Sequence, residues 1–161
     1  MAPITTINQL LTRDGEGLKA LYQRSKPGTI PVGESEGMAS VAPGTDEGEE
    51  SRRFFSFLWQ GKVFERADEG TTTLVNKTFL GKSFAAKVYV GASLLDGKDS
   101  IIIDYKDTPF KPFRIIRDEI REVAPGIYLG YAYLRGIDYA PIVFALNFNE
   151  APDRPLPRPM P

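Results

Sequence analysis

The chain has 161 residues, 42% of them hydrophobic, and a net charge of −1. That is enough for one domain with a buried core, without the basic field that would hold nucleic acid or an anionic membrane. It contains neither cysteine nor histidine, which removes disulfides, thiolate metal sites, cysteine nucleophiles, serine–histidine hydrolysis, the usual catalytic zinc sites and histidine-ligated haem.

In chain order, the N-terminal MAPITTINQL lacks the basic region and apolar run of a secretory leader. No apolar run approaches the ~20 residues of a membrane span. The expected compartment is therefore the cytoplasm, and the sequon Asn76-Lys77-Thr78 reads as coincidence. Residues 4–25 predict helix in two pieces. Thr5 or Thr6 caps a first turn carrying Ile7, Leu10 and Leu11. Asp14 caps a second piece with Leu18, Leu21 and Tyr22 on one face. Residues 26–51 are rich in Pro, Gly and acidic side chains without apolar periodicity, and read as a long loop with a flexible acidic end at 44–51.

From Arg52 the pattern changes to strands, expected at 53–66, 71–80, 83–95, 100–106, 112–123, 126–135 and 141–149. Asp68-Glu69-Gly70, Leu80-Gly81-Lys82, Asp96-Gly97, Ala124-Pro125-Gly126 and Gly136-Ile137-Asp138 supply the turns. Connections this short exclude parallel crossovers. The fold class is thus mostly β: an antiparallel up-and-down barrel with a short N-terminal helical segment, in which the first and last strands pair to close the sheet. One domain covers 1–150. Residues 151–161 hold five of the thirteen prolines and form a flexible Pro-rich tail. This tail and 44–51 are expected to be dispensable for folding.

Without histidine, acid–base work falls to Asp, Glu, Tyr and Lys, with Arg fixing charge. The strand Phe113–Val123 stands out because neither of its faces is apolar throughout. Period two puts Arg117, Glu119 and Arg121 on the face of Phe113, Ile115 and Val123, so at least one of the three charges is expected inside the barrel beside Asp104 or a tyrosine. The alternative puts Ile116 and Ile120 inside and those charges in water. Tyr89 shares a face with Lys87, and Tyr128, Tyr131 and Tyr133 lie on the next strand. The candidates are Asp104 and Glu119 as acid–base groups, with Arg117, Arg121, Tyr105, Tyr128, Tyr89 and Trp59 against a ligand. No Walker loop, Gly-rich strand-to-helix turn or EF-hand spacing is present. No metal or cofactor is expected.

Several short segments are similar to small lipocalin-like (calycin) proteins and, more loosely, to GXWXG-type lipocalin-like domains. They are Trp59, Gly61 and Lys62; Asp96-Gly97-Lys98; Asp104-Tyr105; Arg117-Asp118-Glu119-Ile120-Arg121; and Pro125-Gly126-Ile127-Tyr128-Leu129-Gly130. The resemblance spans roughly residues 55–148. At Leu21-Tyr22-Gln23 a tyrosine stands where the GXWXG signature has tryptophan. The resemblance implies a barrel with an apolar cavity and carries over no catalytic residue. Two readings follow: a carrier of a hydrophobic small molecule, or a cofactor-free isomerase, cyclase or decarboxylase working in the same cavity. The second has a precedent in the decarboxylation of phenolic acids by lipocalin-like barrels. The expected partner is that ligand or substrate, with no nucleic acid and no membrane; homodimerisation stays open.

Overall fold

The structure, a computed structural model, describes residues 4–79, 81–136 and 140–149. Helix α1 (Ile7–Leu11) begins in a capping box. The Thr6 hydroxyl accepts from the Gln9 N–H, and the Gln9 side chain accepts from the Thr6 N–H, at 3.1 Å each. Helix α2 (Gly15–Arg24) starts at Asp14, whose carboxylate accepts from the Gly17 N–H at 2.7 Å. Such caps satisfy backbone donors that a first turn leaves unpaired. The two helices bury Ile7, Leu10, Leu11, Leu18, Leu21 and Tyr22 against the outer face of the sheet.

The expected loop at 26–51 contains two short strands, β1 (Gly33–Glu34) and β2 (Glu36–Ser40), followed by a third helix, α3 (Asp46–Leu58). The acidic end is thus helical. Thr45 caps it by accepting from the Gly48 N–H at 3.0 Å, and Asp46, Glu47 and Glu49 occupy the first turn, where negative charge complements the helix dipole. Gly48 packs so closely on the Ala42 carbonyl that a Cβ would lie 1.9 Å from its oxygen. The Ser51 hydroxyl accepts from the Val41 N–H at 3.1 Å. Residues 46–51 are therefore docked. Helix α3 also takes the first half of the strand expected at 53–66. Helical period turns Phe55 and Leu58 toward the barrel and leaves Phe54 and Phe57 61% and 69% exposed.

Strands β3 (Trp59–Arg66), β4 (Thr72–Thr78), β5 (Gly81–Ala92), β6 (Asp99–Asp104), β7 (Ile116–Ala124), β8 (Ile127–Leu134) and β9 (Ile142–Asn147) follow in next-neighbour antiparallel order, with a 3-10 turn at Lys111–Ile115 before β7. The last strand is paired on both sides, but its second partner is β2 and not β3. The stretch 33–40 forms the seam of a nearly closed nine-stranded barrel. Its first part pairs with β3, its second with β9. Ser35 joins the two: its N–H and its hydroxyl both donate to the Lys62 carbonyl, and its hydroxyl oxygen accepts from the Lys62 N–H. Glycine is required here. Gly61 has φ +134, and a Cβ on it would lie 2.5 Å from the Ser35 carbonyl oxygen; one on Gly37 would strike the Trp59 ring at 2.7 Å. The barrel interior is a cluster that includes Phe64, Leu74, Val88, Ile101, Ile103, Ile120, Phe144 and Leu146. The tail at 151–161 lies outside the described residues.

Candidate functional site

Four polar side chains project into this interior from four different places on the wall. Lys62 on β3 and Asn76 on β4 are directly paired across their strands. Tyr105 follows β6, and Asp118 lies on β7 between Ile116 and Ile120, opposite Ile103. The Lys62 ammonium donates to Asn76 Oδ1 at 2.8 Å and to the Tyr105 hydroxyl at 2.6 Å, and pairs with Asp118 Oδ2 at 3.1 Å. The Lys62–Asp118 pair joins strands separated by β4, β5 and β6 in the sheet order, so it crosses the lumen. Asn76 is saturated: its oxygen also accepts from Trp59 Nε1, and its Nδ2 donates to the Phe84 carbonyl and the Tyr105 hydroxyl.

The electrostatics follow from burial. The Lys62 and Asp118 side chains are 4% and 5% exposed. Burial raises the Asp118 carboxyl above the usual carboxylate range, with Lys62 offsetting only part of that. Burial also works against the charge on Lys62, but Tyr105 and Asp118 outweigh it and its pKa lies above the ordinary lysine value. Burial pushes the Tyr105 hydroxyl up to about 12. One atom of the cluster is left over: Asp118 Oδ1 is buried with no hydrogen-bond partner among the described residues.

The cluster lines a cavity of about 310 Å³, at the lower end of the ~300–1,000 Å³ typical of small-molecule sites. Its other walls are apolar and largely aromatic: Phe55 and Leu58 from α3, with Phe79, Phe84, Phe113 and Phe144 among the rest. Phe84 stacks on Phe113 with centroids 4.0 Å apart. It holds φ 60, the one positive-φ residue other than glycine among those described. A bulky side chain reaches that region only under strain. Here the twist turns the Phe84 carbonyl to Asn76 while the ring lines the cavity.

The residues singled out from sequence divide among three places. Tyr105 and Trp59 line the cavity. Tyr128 also faces inward but away from the cavity, donating to the Thr29 carbonyl at 2.5 Å and packing on Phe148. Arg117, Glu119, Arg121, Asp104 and Tyr89 lie on the outside of the barrel, because the interior takes Ile116, Asp118 and Ile120 from β7 and Ile101 and Ile103 from β6. The expectation of inward charge at Arg117, Glu119 or Arg121 is thereby corrected. Its alternative holds for Ile116 and Ile120, which face inside, but not for the charges: Glu119 and Arg121 are buried against Tyr22 of α2, and Arg117 is only partly exposed. Glu119 accepts from Ser93, from Tyr22 at 3.2 Å, from the Leu94 N–H at 2.9 Å and from Arg117 at 3.0 Å. Arg121 makes a two-pronged pair with Asp96 at 2.7 Å, donates to the carbonyls of Tyr22, Lys98 and Asp99, and lies 4.4 Å from the Tyr22 ring centre. Asp104 accepts from Arg135, Tyr89 and the Lys106 N–H. Burial disfavours its charge, but these hydrogen bonds outweigh it and hold the carboxyl below its usual range.

Sequence reasoning missed the role of Lys62, Asn76 and Asp118. A signal was present in β7. Its 116–118–120 face is apolar but for one carboxylate, whereas the 117–119–121 face is charged throughout.

No protein-family model matches the chain, and no curated protein sequence matches it significantly. A solved structure of a protein from Thermomonospora curvata is similar at a TM-score of 0.50 and 17% identity, covering 86% of this chain and 89% of that one. At that identity the likeness shows a shared fold and nothing more. No helix among the described residues is long and apolar enough to cross a membrane.

Proposed function

We propose that the protein binds a small, mainly apolar and planar molecule inside the barrel, as a lipocalin-like carrier does, with one polar end of the ligand at the Lys62–Asn76–Tyr105–Asp118 cluster. The observation that carries this reading is the combination of an aromatic-walled cavity with a single polar cluster containing an unpaired buried carboxylate oxygen. Burying two charges costs several kcal/mol per ion, and a hydrophobic replacement is often equally stable. A barrel built for stability alone would have little use for such a pair. The cofactor-free enzyme remains the second reading, supported by a carboxyl of raised pKa beside a tyrosine and a lysine. Such a set could move a proton on a bound molecule.

The test uses Ala132, a small residue on the cavity wall. Ala132→Leu should fill the space. Calorimetric titration with an apolar aromatic such as naphthalene should show binding to wild type and a loss of tenfold or more in the variant, with the melting temperature kept. Equal binding by both proteins would place the ligand elsewhere and end the proposal.

A further inference from the structure

The hydrogen-bond accounting of the polar cluster restricts what the cavity can take, an inference that rests on the small-molecule reading above. An ammonium group has three donors, and Lys62 has three partners: Asn76 Oδ1, the Tyr105 hydroxyl and Asp118 Oδ2. Both Asn76 amide protons are used, by the Phe84 carbonyl and the Tyr105 hydroxyl. Trp59 Nε1 is used by Asn76. The Tyr105 oxygen accepts from Lys62 and Asn76. The donors of Lys62, Asn76 and Trp59 are therefore committed, and a buried acceptor, Asp118 Oδ1, is left without a partner among the described residues.

We infer that the cavity selects ligands ending in a neutral hydrogen-bond donor, a phenol-type or alcohol hydroxyl or an N–H on an aromatic frame, set against Asp118 Oδ1, and that it rejects carboxylates. A ligand carboxylate would face the Asp118 carboxylate with the Lys62, Asn76 and Trp59 donors already committed, in a medium where an unpaired charge is costly. A cation would have to lie beside the Lys62 ammonium. A purely apolar ligand would leave Oδ1 unpaired, and so would an ether. The preference thus comes from an unmet acceptor, which discriminates more sharply than a fit of apolar surfaces. This selects against acidic ligands such as fatty acids or phenolic acids entering carboxylate-first.

The experiment is calorimetric titration at pH 7 with four probes of one frame: 2-naphthol, naphthalene, 2-methoxynaphthalene and 2-naphthoate. 2-Naphthol should bind at least tenfold more tightly than its methyl ether and at least tenfold more tightly than the carboxylate. In the double variant Lys62→Met/Asp118→Leu, which removes both charges together, the naphthol-to-ether ratio should fall below about threefold. An ether as tight as 2-naphthol in wild type, a carboxylate that binds best, or a ratio unchanged in the double variant would overturn the inference while leaving the cavity reading standing. Failure of all four probes, naphthalene included, would overturn the cavity reading itself, and this inference with it. The wild-type ratios decide the matter even if the double variant does not fold.

Discussion

At the scale of single residues, the Lys62–Asp118 pair makes the sharpest prediction. Removing one member leaves the other charge buried and unpaired. Lys62→Met or Asp118→Leu alone should lose about 3–5 kcal/mol, whereas the double variant should recover most of that, because a well-packed apolar replacement of a buried pair is often neutral. Urea titrations of the three proteins would check this; additive losses would contradict it. Tyr105 gives a pH prediction. Its hydroxyl is raised from 10.0 to about 12 in the folded protein. The stability this contributes is fully present below pH 10 and is lost as pH rises through the folded value, at up to about 1.4 kcal/mol per pH unit. Tyr105→Phe should therefore be less stable at pH 7, having lost its hydrogen bonds to Lys62 and Asn76, yet show a shallower decline between pH 10 and 12. Denaturant midpoints measured across that range would reveal it. At the acid end the sign differs between carboxylates. Asp96, lowered chiefly by its hydrogen bond from Arg121, contributes stability that disappears as pH falls through its folded pKa. Asp118, raised by burial, works the other way. Acid unfolding should accordingly be softened by removing Asp96 and not by removing Asp118.

At the scale of elements, β7 holds two networks back to back. Its inner face supplies Asp118 to the cavity; its outer face supplies Glu119 and Arg121 to the contact with Tyr22 of α2, with Arg117 paired to Glu119. Arg121→Ala would strip Asp96 of its ion-pair partner and the Tyr22 carbonyl of its side-chain donor. It should cost about 3 kcal/mol or more, and Arg121→Lys should restore little, since an ammonium cannot reproduce the two-pronged guanidinium geometry. Ligand affinity should hardly change, because these groups lie outside the cavity; a large loss of binding at unchanged stability would contradict the division between the two faces. The helix caps at Thr6 and Asp14 and the run of hairpins were legible in sequence because local chemistry decides them. The inner face of β7 was not, because period two counts Phe113, Ile115 and Val123 with the 117–119–121 charges, whereas 113–115 lie in a 3-10 turn before the strand and the 116–118–120 face carries a single charge. Helix α3 was hidden for a different reason. Its acidic first turn and Gly48 resemble a loop, and its Phe54-Phe55 and Phe57-Leu58 pairs resemble a strand until they are read with a period of 3.6. Thr45→Ala, which removes its cap, should lower stability by about 0.5–2 kcal/mol in the same titrations.

At the scale of the whole molecule, the barrel depends on a seam that sequence pattern could not show. Residues 33–40 are too short and too rich in glycine to read as strands, yet they join β3 to β9. Gly37 in this stretch and Gly61 on β3 are what permit the close approach of backbone to backbone and of Trp59 to β2. The barrel type was legible from the number of strands and the shortness of their connections; its point of closure and its roof, α3, depend on contacts distant in sequence. The seam, helix α3 and the lumen-spanning ion pair together define the space on which the functional reading rests. A crystal structure of the protein grown with 2-naphthol examines that space most directly. The ring should lie among Phe84, Phe113 and Phe144 with its hydroxyl within about 3 Å of Asp118 Oδ1; a cavity without naphthol, or naphthol bound only on the outer surface, would contradict the assignment of the barrel interior as the ligand site.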